Sequence, residues 1–368
     1  MQARQFRRII YSALWATLAG VTTMCSHTEP DTTIPFQTTL EQAPTSNFNE
    51  EAANRLRQHL PSLGEEWSRD AREDYESYRN HWQFALDFHT IAAGSVDTDD
   101  GEDVFVQILS GSTGDASEQP VVFFIHGYLD HTATNRYAIE ALLEHGATVI
   151  TMDLPGHGLS SGRRAHISDF SLYGSSIEQV LEAIEAAGAL PHDALRGMTG
   201  IGHSTGATAL LEHTENYDNR FSRFVFAAPL IRVFAFPILQ VGAEVVGQIV
   251  DQLPDRISGS TSNESYIEFA EQFDVLRVRH TDLEWFEAYL EWEESRRDLS
   301  EREIPLLLVL AEDDTVVANG HNEEFLRRVF PDTRVIEVED ARHSIFTEPA
   351  AVHGTVMAEI VRFALDQE

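Results

Sequence analysis

The spacing of apolar and polar positions divides the chain into an irregular N-terminal stretch and a long region in which strand and helix patterns alternate. Val121 to Ile125 is an unbroken apolar run and Val149 to Met152 is broken only by Thr151, the pattern of strands covered on both faces. Ile304 to Leu310 is a third such run, and Val335 to Val338 alternates as a half-covered strand does. Between these runs, Ala207 to Asn216 and Ala351 to Asp366 read as helices. Glu50 to about Arg79 is helical in spacing through Leu56, Leu60 and Leu63, with Pro61 as a break. Trp82, Phe84, Leu86 and Phe88 alternate with polar neighbours, as do Val104, Val106 and Ile108. Two half-buried strands are predicted there, joined by a hairpin turn over Asp97 to Asp103. From Gln119 onward the alternation predicts an α/β fold, a mostly parallel central sheet flanked by helices.

One segment interrupts that alternation. Between Pro229 and Pro305, Phe234, Phe236 and Ile238 open an aliphatic half that continues to Val250, and Trp285, Phe286, Tyr289 and Trp292 make an aromatic half. A segment this short cannot bury so many large side chains against itself. Residues 230–304 are therefore expected to form a helical cap, with Phe234, Phe236 and Ile238 as candidates for lining an apolar substrate pocket beneath it. The catalytic core would comprise residues 50–229 and 305–368.

Candidate chemistry sits at the ends of the strand runs. Gly202-His203-Ser204-Thr205-Gly206 places a serine between two glycines where an apolar strand gives way to a helix. Such an elbow holds its serine in a strained conformation, and side chains at the glycine positions would collide with the adjoining strand and helix. Ser204 is a candidate nucleophile, which needs a base to take its proton. Asp313 and Asp314 lie just past the Ile304 to Leu310 run, where parallel sheets carry catalytic groups, and His343 follows the Val335 to Val338 strand. The order serine, acid, histidine is that of the α/β-hydrolases. His321 and His353 fall at helical positions and are expected at the surface. The Val121 to Ile125 run ends in His126-Gly127-Tyr128. An ester passes through an oxyanion that needs preorganised N–H donors, for which the backbone groups of Thr205 and Tyr128 are candidates. The Tyr128 ring serves equally well as a pocket wall, and His126 reads as a structural hydrogen-bonding residue.

Composition narrows the field. At 368 residues and 42% hydrophobic the chain can bury a large core. Acids outnumber bases 60 to 26, for a formal net charge of −34 at pH 7. That charge repels phosphate backbones, so no nucleic-acid partner is expected, and it disfavours adsorption to anionic lipid. No cluster of His and Cys has zinc spacing. The acids of Asp97 to Asp103 lack the spacing of an EF-hand, and Gly111-Ser112-Thr113-Gly114 lacks the ending of a phosphate loop. No metal and no organic cofactor are expected.

The single cysteine, Cys25, excludes an intramolecular disulfide and closes a targeting pattern. Arg4, Arg7 and Arg8 precede the apolar run Ile9 to Met24, and no acid occurs before Glu29. The run is shorter than the roughly 20 apolar residues of a spanning helix. A cysteine directly after it resembles a bacterial lipoprotein, in which the cysteine is lipidated and becomes the mature N-terminus. Thr22-Thr23-Met24 departs from the small residues usual there, so ordinary cleavage and an uncleaved anchor stay open. Residues 1–25 are thus an expected signal or lipoprotein-type segment and 26–49 a flexible tether. A periplasmic or membrane-anchored protein of the bacterial envelope is expected, or else a secreted one. The pattern says nothing of oligomeric state.

His126-Gly127, Asp153-Leu154-Pro155-Gly156-His157-Gly158-Leu159-Ser160, Ser168-Asp169-Phe170, the Gly202 to Gly206 elbow, Asp314 and His343 together resemble the monoacylglycerol lipase and lysophospholipase group of serine α/β-hydrolases, which is serine aminopeptidase S33-like. These pieces span about Gln119 to the C-terminus. The resemblance implies the α/β-hydrolase fold, a catalytic set of Ser204, Asp314 and His343, and cleavage of carboxylic esters of monoacyl lipids through an acyl-enzyme. Asp314 is the fourth residue of the loop beginning Ala311, where the group carries its acid, while Asp313 stays open as the alternative. Thr205-Gly206-Ala207 stands where many relatives have Met-Gly-Gly, which leaves acyl preference open. An aminopeptidase or thioesterase on the same scaffold is a second reading, and a non-catalytic, envelope-tethered binding protein a third.

Overall fold

A computed structural model describes residues 48–111, 119–234, 252–254, 257–296 and 298–366. Cys25, Phe236 and Ile238 lie outside the described residues, as do the expected signal segment, most of the tether and the aliphatic half of the cap beyond Phe234.

The strands are β1 (His89–Asp97), β2 (Asp103–Ser110), β3 (Val121–Ile125), β4 (Thr148–Met152), β5 (Met198–His203), β6 (Phe221–Ala227), β7 (Gln252–Pro254), β8 (His280–Asp282), β9 (Leu306–Ala311) and β10 (Thr333–Val338). Eight of them form one sheet in the order β1-β2-β4-β3-β5-β6-β9-β10. Strand β2 runs antiparallel to β1 and β4, and the other pairings in this sheet are parallel. This is the mostly parallel sheet that the apolar runs predict. Every residue of β3, β4, β5 and β9 is buried. From β3 the chain moves outward to β4 on one side and then returns to β5 on the other. The carboxyl ends of β3 and β5 thus flank a topological switch point, where open parallel sheets bind ligands.

Among the described residues the helices are α1 (Glu50–His59), α2 (Arg69–Trp82), α3 (Arg136–Glu144), α4 (Ser171–Ala187), α5 (Thr205–Asn216), α6 (Glu264–Gln272), α7 (Leu283–Ser295), α8 (Asn319–Val329) and α9 (Ala350–Ala364). The Asn49 side chain caps α1 by accepting from the Ala52 N–H, and that of Ser68 caps α2 through the Ala71 N–H. No helix among the described residues is long and apolar enough to cross a membrane.

Three local expectations are corrected. The alternation from Trp82 to Phe88 is not a strand, because Trp82 closes α2 and Gln83 and Ala85 turn the chain through left-handed conformations. Arg136 and Glu140 of α3 hold that turn, the first donating to the Trp82 carbonyl at 2.9 Å and the second accepting from the Ala85 N–H at 2.7 Å. Strand β2 is buried on both faces rather than one. Tyr75 and Tyr78 of α2 pack against Phe105, and the Tyr75 hydroxyl donates to Gln107 Oε1 at 2.9 Å. His353 is buried in α9 with its ring against Tyr137, and His321 is half-buried, so neither lies free at the surface.

The segment between β6 and β9 is mixed rather than wholly helical. Its described residues hold α6, α7 and a ribbon in which β7 and β8 pair antiparallel. Trp285, Tyr289 and Trp292 of α7 are buried against Phe170, at ring separations of 5.3, 6.0 and 5.7 Å. Trp285 Nε1 donates to the Tyr173 hydroxyl at 2.9 Å, and Trp292 Nε1 to Glu212 Oε1 at 2.7 Å. The aromatic half of the cap is welded to α4 and α5.

Candidate active site

Strand β5 delivers Ser204 at its carboxyl end, and α5 begins at the next residue. Ser204 takes φ 49° and ψ −114°, which only a surrounding structure that over-determines it can maintain. Its N–H donates to the Ala227 carbonyl at the end of β6, 2.9 Å away. A Cβ on Gly202 would overlap the backbone of Ala207, and one on Gly206 would overlap the carbonyl oxygen of Ile125 in β3. The glycines are there because helix, strand and elbow meet without room for a methyl group.

His343 follows β10 and reaches the elbow from the far side of the sheet. Its Nε2 lies 2.9 Å from Ser204 Oγ and its Nδ1 lies 2.8 Å from Asp314 Oδ2. The other Asp314 oxygen accepts the N–H groups of Val316 at 2.7 Å and Val317 at 3.0 Å. Burial alone would raise the Asp314 carboxyl, but His343 and these two N–H groups outweigh it and hold the group below its ordinary value. Asp313 is exposed, and its N–H donates to the Ala341 carbonyl. Of the two candidate acids, Asp314 is the one joined to His343.

His203 is a further site residue, which sequence reasoning passed over although it lies inside the elbow. It is buried, and its Nε2 lies 3.0 Å from the His343 carbonyl oxygen. Burial first, and then the adjacent His343, press its pKa down to about 4. The ring is therefore neutral, with Nε2–H as the donor.

The loop after β3 passes directly beside the elbow. A Cβ on Gly127 would come within 2.8 Å of His203 Nδ1 and 3.2 Å of Ser204 Cβ, so the backbone approaching Tyr128 skirts the serine. His126 is the structural residue expected: it accepts from the Leu154 N–H at 2.9 Å and donates from Nδ1 to the Gly127 carbonyl at 2.7 Å. The buried Asp153 accepts from the Thr132 N–H at 2.8 Å and the Leu159 N–H at 2.7 Å. Any Cβ on Gly158, whose φ is +47°, would run into that carboxylate. The Asp153 to Ser160 stretch thus serves as scaffolding for the Tyr128 loop. Tyr128 itself is tied down at its hydroxyl, which donates to the Ala165 carbonyl at 2.7 Å and accepts from the Asp282 N–H at 3.1 Å. Phe234 is 42% exposed and donates its N–H to the Val316 carbonyl, beside the Asp314 loop.

His166, Asp282 and Glu284 bring metal-ligand atoms together. Arg163 pairs with both carboxylates of that group, and Asp282 also accepts the N–H groups of Glu284 and Trp285 as the cap of α7. The grouping is an ion-paired helix cap with its cation supplied by Arg163.

Residues 116–350 match the sequence profile of the family described as serine aminopeptidase, S33. The chain belongs to this family. Similar to this S33 protein is phospholipase YtpA of Bacillus subtilis, 27% identical over 239 residues that cover 62% of this chain and 89% of the relative. A monoacylglycerol lipase of Mycolicibacterium smegmatis is 27% identical over 144 residues, covering 39% of this chain and 50% of its own. In fold, the S33 chain matches a soluble variant of monoglyceride lipase from Saccharomyces cerevisiae, solved with a substrate analog. The TM-score is 0.61 at 19% identity, over 73% of this chain and 93% of that one. The fold is that of the α/β-hydrolases.

Proposed function

We propose that this S33 protein is a serine hydrolase that cleaves the carboxylic ester of a monoacyl lipid, in the manner of a lysophospholipase or monoacylglycerol lipase. The observation that carries the reading is the unbroken chain of hydrogen bonds from Ser204 Oγ through His343 to Asp314 at the elbow. In the first step Ser204 Oγ attacks the ester carbonyl while His343 Nε2 takes its proton. Asp314 fixes the imidazole tautomer through Nδ1–H and stabilises the imidazolium. The oxyanion that forms is met by the backbone N–H groups of Thr205 and Tyr128. Collapse transfers the His343 proton to the departing alcohol and leaves an acyl-serine. Water, deprotonated by His343, then attacks the acyl carbonyl and releases the fatty acid and free Ser204.

The phospholipase and lipase relatives support the lipid ester as substrate class, as does the aliphatic run from Phe234 to Val250. Side-by-side assays of p-nitrophenyl esters, monoacylglycerols, lysophospholipids, acyl-CoA and aminoacyl anilides test the reading. Turnover of the monoacyl esters is expected. Turnover confined to anilides or acyl-CoA would make the protein an aminopeptidase or thioesterase, and failure of a fluorophosphonate to label Ser204 would make it a binding protein. The basic and apolar pattern ending at Cys25 supports an envelope location with a lipid on that cysteine. Uptake of labelled palmitate that is lost in Cys25→Ser, with activity on soluble esters unchanged, is the expected result.

A further inference from the structure

The loop that presents the Tyr128 N–H is held by the cap at two places. At the first, the Tyr128 hydroxyl accepts from the Asp282 N–H at 3.1 Å, and its ring stacks on Trp285 at 3.7 Å with 17° between the planes. Asp282 and Trp285 start α7. At the second, His131 Nε2 lies 3.1 and 3.2 Å from the two carboxylate oxygens of Asp274, in the turn that follows α6. Both side chains are buried, His131 fully and Asp274 at 2% exposure. Asp274 is itself anchored, accepting the N–H groups of Leu276 and Arg277, each at 3.0 Å. Burial would lower the His131 pKa and raise that of Asp274, yet each group's pull on the other outweighs it. His131 is raised and Asp274 lowered, as in a charged pair. A buried ion pair is weak evidence for stability, and its better-attested use is to specify one geometry. Immediately before the first tie the chain passes Gly127, whose approach to Ser204 and His203 leaves no room for a side chain.

We propose that His131 and Asp274, together with Tyr128 and Asp282, brace the oxyanion loop against the cap, which makes His131 and Asp274 positioning residues for the Tyr128 N–H. The inference rests on the ester-hydrolase reading and adds to it that the cap takes part in the chemical step, including for acyl groups too short to touch it. An N–H donor displaced by a fraction of an ångström stabilises the oxyanion less while leaving ground-state binding nearly as it was.

The test uses the full-length chain with Asp274→Asn and His131→Gln. It reads kcat and KM on p-nitrophenyl acetate and decanoate, the affinity for a trifluoromethyl ketone, and the thermal midpoint. A brace predicts that kcat falls roughly ten- to hundredfold on both esters in the same proportion, that KM stays within about twofold, and that ketone affinity weakens in step with kcat. A lowered midpoint with kcat and ketone affinity intact would overturn it, as would a loss confined to decanoate, which would make the pair part of an acyl pocket. Should those variants not fold, Tyr128→Phe removes one tie while keeping the ring stack and the backbone N–H. The same kcat loss is expected there, and full kcat would overturn the brace. A wild-type protein inactive on both esters would instead overturn the ester-hydrolase reading, and the brace with it.

Discussion

The Nε2–H of His203 donates to the backbone carbonyl oxygen of His343 across 3.0 Å, so the side chain just before the proposed nucleophile holds the residue proposed to deprotonate it. His203→Phe keeps a ring of similar size but removes the donor. It should lower kcat on p-nitrophenyl esters by roughly tenfold, since a small misplacement of a reacting group is costly, and it should slow fluorophosphonate labelling of Ser204. His203→Gln, which retains an N–H donor, should recover part of that loss. Equal kcat in all three proteins would show that Asp314 alone positions His343.

Removing members of the proposed relay separates it from its surroundings. Ser204→Ala and His343→Ala should each cost roughly 10⁵- to 10⁶-fold in kcat, because such residues act as a unit. Asp314→Asn should cost about 10⁴-fold through the wrong imidazole tautomer. Asp313→Asn should stay close to wild type, because Asp313 is exposed and the carboxylate bonded to His343 is that of Asp314. A large loss in Asp313→Asn with little in Asp314→Asn would reverse the assignment of the acid.

Among the described residues Phe234 is one of the few large apolar side chains that stay exposed, and it sits against the Asp314 loop. If it begins an acyl site, decanoyl esters should exceed acetyl esters in kcat/KM, since each buried methylene contributes about 0.8 kcal/mol. Phe234→Asp should then reduce the decanoyl rate more than the acetyl rate. An equal effect on both chains would place the acyl group elsewhere.

The elbow glycines predict a stability effect with a steric cause. Gly206→Ala would drive a methyl group into the Ile125 carbonyl of β3, which the core can relieve only by moving α5 away from the sheet. A loss of about 1 to 3 kcal/mol in urea unfolding is expected, with activity falling as the elbow shifts. An unchanged unfolding midpoint in an active protein would contradict the close approach.

His353 should make the fold sensitive to acid. Burial, offset in part by a hydrogen bond with its own backbone, lowers its pKa to about 4. In the unfolded chain a histidine titrates near about 6.5. Between those values the unfolded state binds a proton that the folded state refuses, so stability is full above about pH 6.5 and falls as pH drops toward about 4, by roughly 1.4 kcal/mol per unit. His353→Leu should flatten that slope. Urea midpoints measured at about pH 7 and about pH 5 check it, and parallel slopes for wild type and variant would refute the role of this histidine.

The sequence by itself determined the parts whose requirements are local. An unbroken apolar run such as Val121 to Ile125 can be satisfied only by burial on both faces. The glycines around Ser204 announce an elbow because no other residue fits beside it, and Ser204, the acid pair Asp313 and Asp314, and His343 each follow an apolar strand run, with the choice between the two acids left to the structure. Only the tertiary structure decided what depends on contacts between distant segments. The Trp82 to Phe88 alternation is a helix end because Arg136 and Glu140 of α3 hold its turn, and no periodicity within the segment records them. His353 is buried because α9 lays it on Tyr137 of α3, although its helix position alone reads as surface. His203 shows its partner only once β10 has returned the His343 backbone to the elbow. His131 and Asp274 are 143 residues apart and meet because the cap folds back over the β3 loop. A charge separated from its partner along the chain carries no mark of it, since the Coulomb and hydrogen-bond terms that pair them act through space after the sheet has formed.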